Sequence, residues 1–348
     1  ATEAATAAEG VDRAVELRAL LRRSQAELYG TGADHERIMS DAEAAAAELE
    51  ALGDLWGASE AWLLLLYRFM GTDYDGVVRV TDRAHVLARR AGNARTAAEA
   101  LTWLGAGVLF GPIPVADGLA RCQEFLAEAD GPLAEAHALI PSIWLYALAG
   151  RIDDARAAGE RAAAIFADLG LDYWVQSVAL PRAWAERFVD ERTREEELLR
   201  GAVVFLQSIG DALFLSTYAA ELALTLAETG RVDEALELAD LSKEISAPTD
   251  VESQIAWRLA RAAALATRSQ LDEAEQLARE AVEIAFTRDA PVSCADALVV
   301  LARVLRAAGK DAEANAEGER AIAELRRKGS EPAVEHARRR LELVPSAS

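Results

Sequence analysis

Ala220-Glu221-Leu222-Ala223-Leu224-Thr225-Leu226-Ala227-Glu228-Thr229-Gly230-Arg231-Val232-Asp233-Glu234-Ala235 decides the fold of this chain. Followed to Ile245, it reads as a long helix, a tight turn at Gly230-Arg231, and a second helix opened by Val232-Asp233-Glu234-Ala235. The unit recurs about every 40 residues in two ladders. The first ladder is the small residue that follows an acidic one after a turn: Ala155, Ala235, Ala274 and Ala314, spaced 80, 39 and 40. The second is a glycine placed to end each second helix: Gly53, Gly92, Gly131, Gly170 and Gly210, spaced 39, 39, 39 and 40, with Gly329 in phase further on. Glycine suits that place because it enters the left-handed conformation at little steric cost.

The expected architecture is all-α, a helical-repeat solenoid of about eight helix pairs of 39–40 residues with a C-terminal capping helix, about 17 helices and no sheet. Second helices are expected to start near Ile38, Gly76, Gly118, Ala155, Glu195, Ala235, Ala274 and Ala314, and the cap to run from about Glu331 to Leu343. Residues 10–343 then form one solenoid, in which each repeat packs only on its neighbours. Residues 1–9, without a basic start or an apolar core, form a flexible tail and not a signal peptide. Residues 344–348 form a second tail. The missing initial Met and a poorly formed first repeat suggest a piece of something longer.

Hydrophobic residues make up 52% of the 348, dominated by Ala and Leu, with only 9 Pro, which is helix composition. The uncharged stretch Ala100–Ala116 is interrupted by Gly111-Pro112-Ile113-Pro114, so it reads as a buried helix and a linker and not as a membrane span. A net charge of −21 argues against nucleic-acid and anionic-membrane partners. The clusters Arg326-Arg327-Lys328 and Arg338-Arg339-Arg340 read as a solvated face. Cys122 and Cys294 are lone cysteines, which points to a reducing, cytoplasmic compartment.

Catalytic signatures are missing. There is no phosphate loop, dinucleotide fingerprint, HExxH or GxSxG. His35, His85, His137 and His336 lie in different repeats without ligand spacing, and Glu195-Glu196-Glu197 sits at a helix start, where capping explains it. No enzyme activity, cofactor or metal is expected.

In the sixth unit Leu222, Ala223, Leu226 and Ala235 fall where the tetratricopeptide repeat places its core residues, so the chain resembles that family, with 39–40 residues per unit in place of 34. Longer phrases are similar to the C-terminal region of bacterial, especially actinobacterial, regulators. These are Leu109-Phe110-Gly111-Pro112-Ile113-Pro114-Val115, Leu119-Ala120-Arg121-Cys122, Ser216-Thr217-Tyr218-Ala219-Ala220, Ala247-Pro248-Thr249-Asp250 and Ala297-Leu298-Val299-Val300-Leu301-Ala302-Arg303-Val304-Leu305. Such regulators join a class III adenylate/guanylate cyclase to an AAA/STAND ATPase and a tetratricopeptide tail. The resemblance implies a right-handed superhelix that serves as the docking or sensing arm of a signalling protein. Its partners would be a protein or peptide, other domains of the same polypeptide, or a small-molecule effector in the concave face.

Trp62, Trp103, Trp144 and Trp184 are spaced 41, 41 and 40 in first helices. Residues in one phase form one strip, which either packs between repeats or lines the concave face. Pro141 and Pro181, 40 apart, each leave the carbonyl four residues earlier, at His137 and Ser177, without its helical donor. A partner or ligand groove is therefore expected at repeats four and five, around His137, Trp144, Ser177, Trp184, Arg187 and Phe188.

Overall fold

The computed structural model describes residues 12–30 and 33–341, so both expected tails lie outside the described residues. Among the described residues there are seventeen helices and no strand. Eight antiparallel pairs follow in order: α1 (Arg13–Leu28) with α2 (His35–Ala51), α3 (Leu55–Leu64 and Leu66–Phe69) with α4 (Tyr74–Ala91), and α5 (Ala94–Phe110) with α6 (Val115–Glu128). Next come α7 (Gly131–Leu148) with α8 (Ile152–Asp168), and α9 (Asp172–Ser177 and Ala179–Phe188) with α10 (Arg192–Ile209). The last pairs are α11 (Ala212–Glu228) with α12 (Val232–Ile245), α13 (Val251–Thr267) with α14 (Leu271–Ala285), and α15 (Pro291–Ala307) with α16 (Asp311–Arg327). A final helix, α17 (Glu331–Leu341), caps the stack. None of these helices is long and apolar enough to cross a membrane.

The second helices begin two or three residues before the expected starts, because the small residue of the ladder marks the first inward position and not the first helical one. Ala155, Ala235, Ala274 and Ala314 are each the fourth residue of their helix and are fully buried. The acidic residues before them occupy the first turn, where the helix dipole favours negative charge. Most first helices are instead capped by a carboxylate or amide, as where Asp54, Asn93, Asp211 and Asp250 accept from the N–H three residues on.

The ladder glycines all have positive φ, from 67° at Gly170 to 85° at Gly131. Gly131 departs from its expected role, however, since α6 already ends at Glu128 and Gly131 opens α7. The turn inside each pair, read in the sequence at Gly230, forms a third ladder. Gly71, Gly150, Asp190, Gly230, Ser269 and Gly309 end the first helices in the same left-handed conformation, two of them without being glycine.

The main departure from expectation is that repeats do not pack only on their neighbours. The superhelix coils tightly enough for its successive turns to touch. Ala212 N–H donates to Tyr29 O (3.0 Å), so repeat six meets repeat one. Arg288 donates to Gly71 O (2.6 Å) and Tyr74 to Glu252 (2.7 Å), so repeat seven meets repeat two. Lys328 Nζ donates to Val108 O (3.0 Å) and Gly111 O (2.7 Å), Val115 N–H returns a bond to Lys328 O (2.9 Å), and Ser330 donates to Leu148 O (2.5 Å). One hydrophobic core accordingly joins Val108 through Phe188 to Ile255 through Leu341. The accessible surface of 14724 Å² is close to the roughly 13,700 Å² expected of a compact monomer of this mass.

The same closure corrects one member of the basic clusters, Lys328, and the packing of the cap corrects another, Arg340. Arg326, Arg327 and Arg339 are exposed as expected, but Lys328 is fully buried because it points from the last repeat into the neighbouring turn, and Arg340 is mostly buried against Glu228 of the sixth repeat.

Candidate functional site

Closure turns the concave face into an internal cavity of about 320 Å³ that is walled on its sides and remains part-open to solvent. First helices build it, each giving one stripe at spacings of three or four residues. Helix α5 presents Trp103, Ala106 and Phe110; α7 presents Pro141, Trp144 and Leu148; α9 presents Ser177, Pro181, Trp184 and Phe188. Helix α11 adds Phe214, Tyr218 and Glu221, α13 adds Glu252, Ile255 and Leu259, and α15 adds Val292, Asp296 and Val299. The cap supplies Ala333, His336 and Arg340. An apolar cavity above 300 Å³ with a few convergent polar groups is of ligand-binding size.

Of the residues expected from sequence, Trp144, Ser177, Trp184, Arg187 and Phe188 line this cavity. Trp144 and Trp184 lie 5.6 Å apart, and Phe188 stands edge-on to Trp144 at 5.9 Å and stacks on His336 at 5.0 Å. His137 is elsewhere: it is buried between Phe166 (5.0 Å) and Trp174 (4.3 Å), with Nδ1 2.9 Å from Thr102 Oγ1. Burial pushes its imidazole down to about 3, so it is neutral.

The two carbonyls released by proline are not free acceptors. His137 O accepts from Thr102 Oγ1 (3.1 Å) and Ser177 O accepts from Tyr218 OH (2.8 Å). In each case a hydroxyl from an adjacent repeat replaces the missing N–H, as buried carbonyls require. The proline ring finds its room in the same way, since a Cβ on Gly105 would stand 2.2 Å from Pro141 Cγ.

Nor is Arg187 a free cation. It lies between Glu195 (2.5 Å) and Glu221 (2.8 Å), in a network that continues through Arg192 to Glu195 (2.8 Å) and Glu228 (2.9 Å). Arg303 and Arg340 complete the shell of Glu228. Burial opposes charge at Glu228, but Arg340, Arg303, Arg192 and Arg187 outweigh it and hold the carboxyl down to about 2. Glu195, expected to be a capping residue, is a fully buried member of this network. Asp296 has no ion pair among the described residues and faces the cavity space. Its side chain is open to the cavity, and its place deep in the fold still pushes the carboxyl up, against the pull of Arg340 and Arg187.

The tryptophan strip is broken at its first member. Trp62 lies seven residues after Leu55, whereas Trp103 lies nine after Ala94, and two residues are about 200° round a helix. Trp62 therefore turns away and donates to Glu50 (2.5 Å), while the other three line the cavity. The sequence reading missed the far end, where Tyr29, Tyr67 and Phe214 join Trp103 from repeats one, two, three and six. The period carries no signal for it, since the cluster spans two superhelical turns. Among the described residues no group of three or more His, Cys, Asp or Glu is placed to hold a metal ion.

No protein-family model and no curated protein matches the chain. Solved structures do resemble it. NprR in complex with its cognate peptide NprX is 13% identical, with a TM-score of 0.55 over 84% of this chain and 83% of that one. A Rap protein complexed with competence and sporulation factor is 11% identical, with a TM-score of 0.51 over 94% and 97%. A kinesin light chain of Podosopora anserina with nearly identical TPR-like repeats is 22% identical, with a TM-score of 0.39 over 58% and 99%. The chain has the fold of tetratricopeptide-like helical-repeat proteins.

Proposed function

We propose that this chain is a non-catalytic sensing module that holds a compact effector inside its closed superhelix. The observation that carries this reading is the cavity of about 320 Å³, walled by first helices from every part of the stack and closed by contacts between turns. A ligand in contact with both turns binds the closed form better than an open one. It would therefore shift any open–closed equilibrium, which is how a binding event becomes a signal. The volume suits a small molecule or a few side chains of a short peptide better than a folded protein domain. Two structures of similar fold were solved with a peptide or factor bound, which supports the peptide alternative. On the sequence resemblance, the receiver of the signal is an ATPase or cyclase in the same polypeptide. The buried free thiols Cys122 and Cys294 support a cytoplasmic setting.

The neutral apolar fluorophore N-phenyl-1-naphthylamine tests the reading. It should bind saturably at one molecule per chain with enhanced emission. Ala106→Trp, which fills the cavity from α5, should weaken it by at least about tenfold, a loss of roughly 1.4 kcal/mol. Absence of saturable binding, or binding indifferent to Ala106→Trp in a folded variant, would contradict it.

A further inference from the structure

At the end of the cavity remote from Arg187, four aromatic rings from four repeats form a closed circuit. Tyr29 lies 6.5 Å from Tyr67, Tyr67 lies 6.2 Å from Trp103, Trp103 lies 6.3 Å from Phe214, and Phe214 lies 6.2 Å from Tyr29. All four line the cavity and are only half-buried, so each keeps surface facing that space. The circuit exists because the superhelix closes: Ala212 N–H on Tyr29 O seats Phe214 beside Tyr29, and Tyr29 OH meets Tyr67 OH at 3.2 Å.

Glu99, one turn before Trp103 on α5, lines the same space. Among the described residues it has no ion pair. Arg95 and Arg22 act on it from a distance, and the Arg22 guanidinium is engaged by Glu60 (2.5 Å). Burial pushes its carboxyl up. Of the five carboxyls that line the cavity, Glu221 is held by Arg187 (2.8 Å) and Glu252 by Arg288 (2.9 Å), whereas Glu99, Asp250 and Asp296 have no ion pair among the described residues. The ionisable groups left without a partner in this interior are carboxyls, which a bound cation would hold in their charged form.

From the aromatic circuit and Glu99 we infer that the cavity takes a ligand bearing an organic ammonium group, with that group seated among Tyr29, Tyr67, Trp103 and Phe214. A cation at the centre of four rings so spaced lies about 4.5 Å from each centroid, inside the roughly 6 Å reach of cation–π attraction. Tyr67 stands steeply across Tyr29 (81°) and Trp103 (63°), so these three can turn faces on one point. Phe214, within 24° of Trp103 and 32° of Tyr29, closes the fourth side without a face of its own turned on it. Aromatic faces recognise a methylated or alkylated ammonium, which is weakly hydrated, and Glu99 supplies the counter-charge in a setting of low dielectric. The inference rests on the cavity being a ligand site and adds the chemical class of its occupant.

Choline and 3,3-dimethylbutan-1-ol have the same shape and differ in charge, so calorimetric titration of the unmodified chain with each isolates the cation. Choline should bind at least about tenfold more tightly. Glu99→Gln and Trp103→Leu, each confirmed to melt cooperatively, should abolish that preference. Equal or tighter binding of the alcohol, no binding of choline, or a preference that survives in both folded variants would overturn the inference. If the apolar fluorophore still binds in the cavity, the assignment of ligand class alone has failed; if it does not, the sensing reading fails as well.

Discussion

Glu228→Ala is expected to lose about 3–5 kcal/mol of stability, the usual cost of removing one partner from a buried ion cluster. Glu228 is 6% exposed at the end of α11, with Arg192 of α10, Arg303 of α15 and Arg340 of α17 around it. Its removal leaves Arg340 and Arg192 largely out of water without their shared counter-charge, and frees the cap from repeats five and six together. The carboxyl is held at about 2, below its ordinary value near 4.5, so its contribution is complete above about pH 4.5 and is lost as pH falls from there towards 2. Urea unfolding of the parent and of Glu228→Ala should therefore differ fully at pH 7 and progressively less below pH 4.5. A difference under about 1 kcal/mol at pH 7 would show that the cluster does not hold the cap.

Lys328→Ala is expected to cost about 2–5 kcal/mol, because it empties a buried site and leaves the carbonyls of Val108 and Gly111 without a donor. Burial, and then Arg327, bring the Lys328 ammonium down to about 7 from its ordinary 10.5. Between those values the unfolded chain holds a proton that the folded chain does not, so this group makes stability rise with pH across that window. Below about pH 7 both states are protonated and the contribution is constant. The urea midpoint of the parent should climb between pH 7 and 9.5 relative to that of Lys328→Ala. Parallel pH profiles would place Lys328 outside the contact between turns.

What the sequence disclosed was local. A left-handed turn selects glycine and a crowded helix crossing selects alanine, so Gly92, Gly210, Ala235 and Ala274 reveal the period, the pair count and the helix order. The same logic fails where another residue is forced into the turn, as at Asp190. Closure was not legible, because it sums a small rotation over five repeats and is held by residues about 180 to 220 positions apart, such as Lys328 with Gly111 and Ser330 with Leu148. Lys328 therefore looked like one of three exposed bases. For the same reason half of the cavity wall was visible, through the phase of Trp144 and Trp184, and the other half was not. Phe214 becomes a neighbour of Tyr29 only when the coil completes a turn.

The central claim, that the repeats close into a walled interior and do not form an open groove, is tested most directly by a distance between turns. Nitroxide labels at Thr72 and Thr287, both exposed, flank the contact between Gly71 and Arg288. The native thiols, buried and pushed up to about 11, resist labelling. Elements in contact have axes roughly 10 Å apart, so pulsed electron–electron resonance should report one narrow distance below about 25 Å. An open solenoid, with five repeats at about 10 Å each between the labels, would give roughly 50 Å and contradict the account.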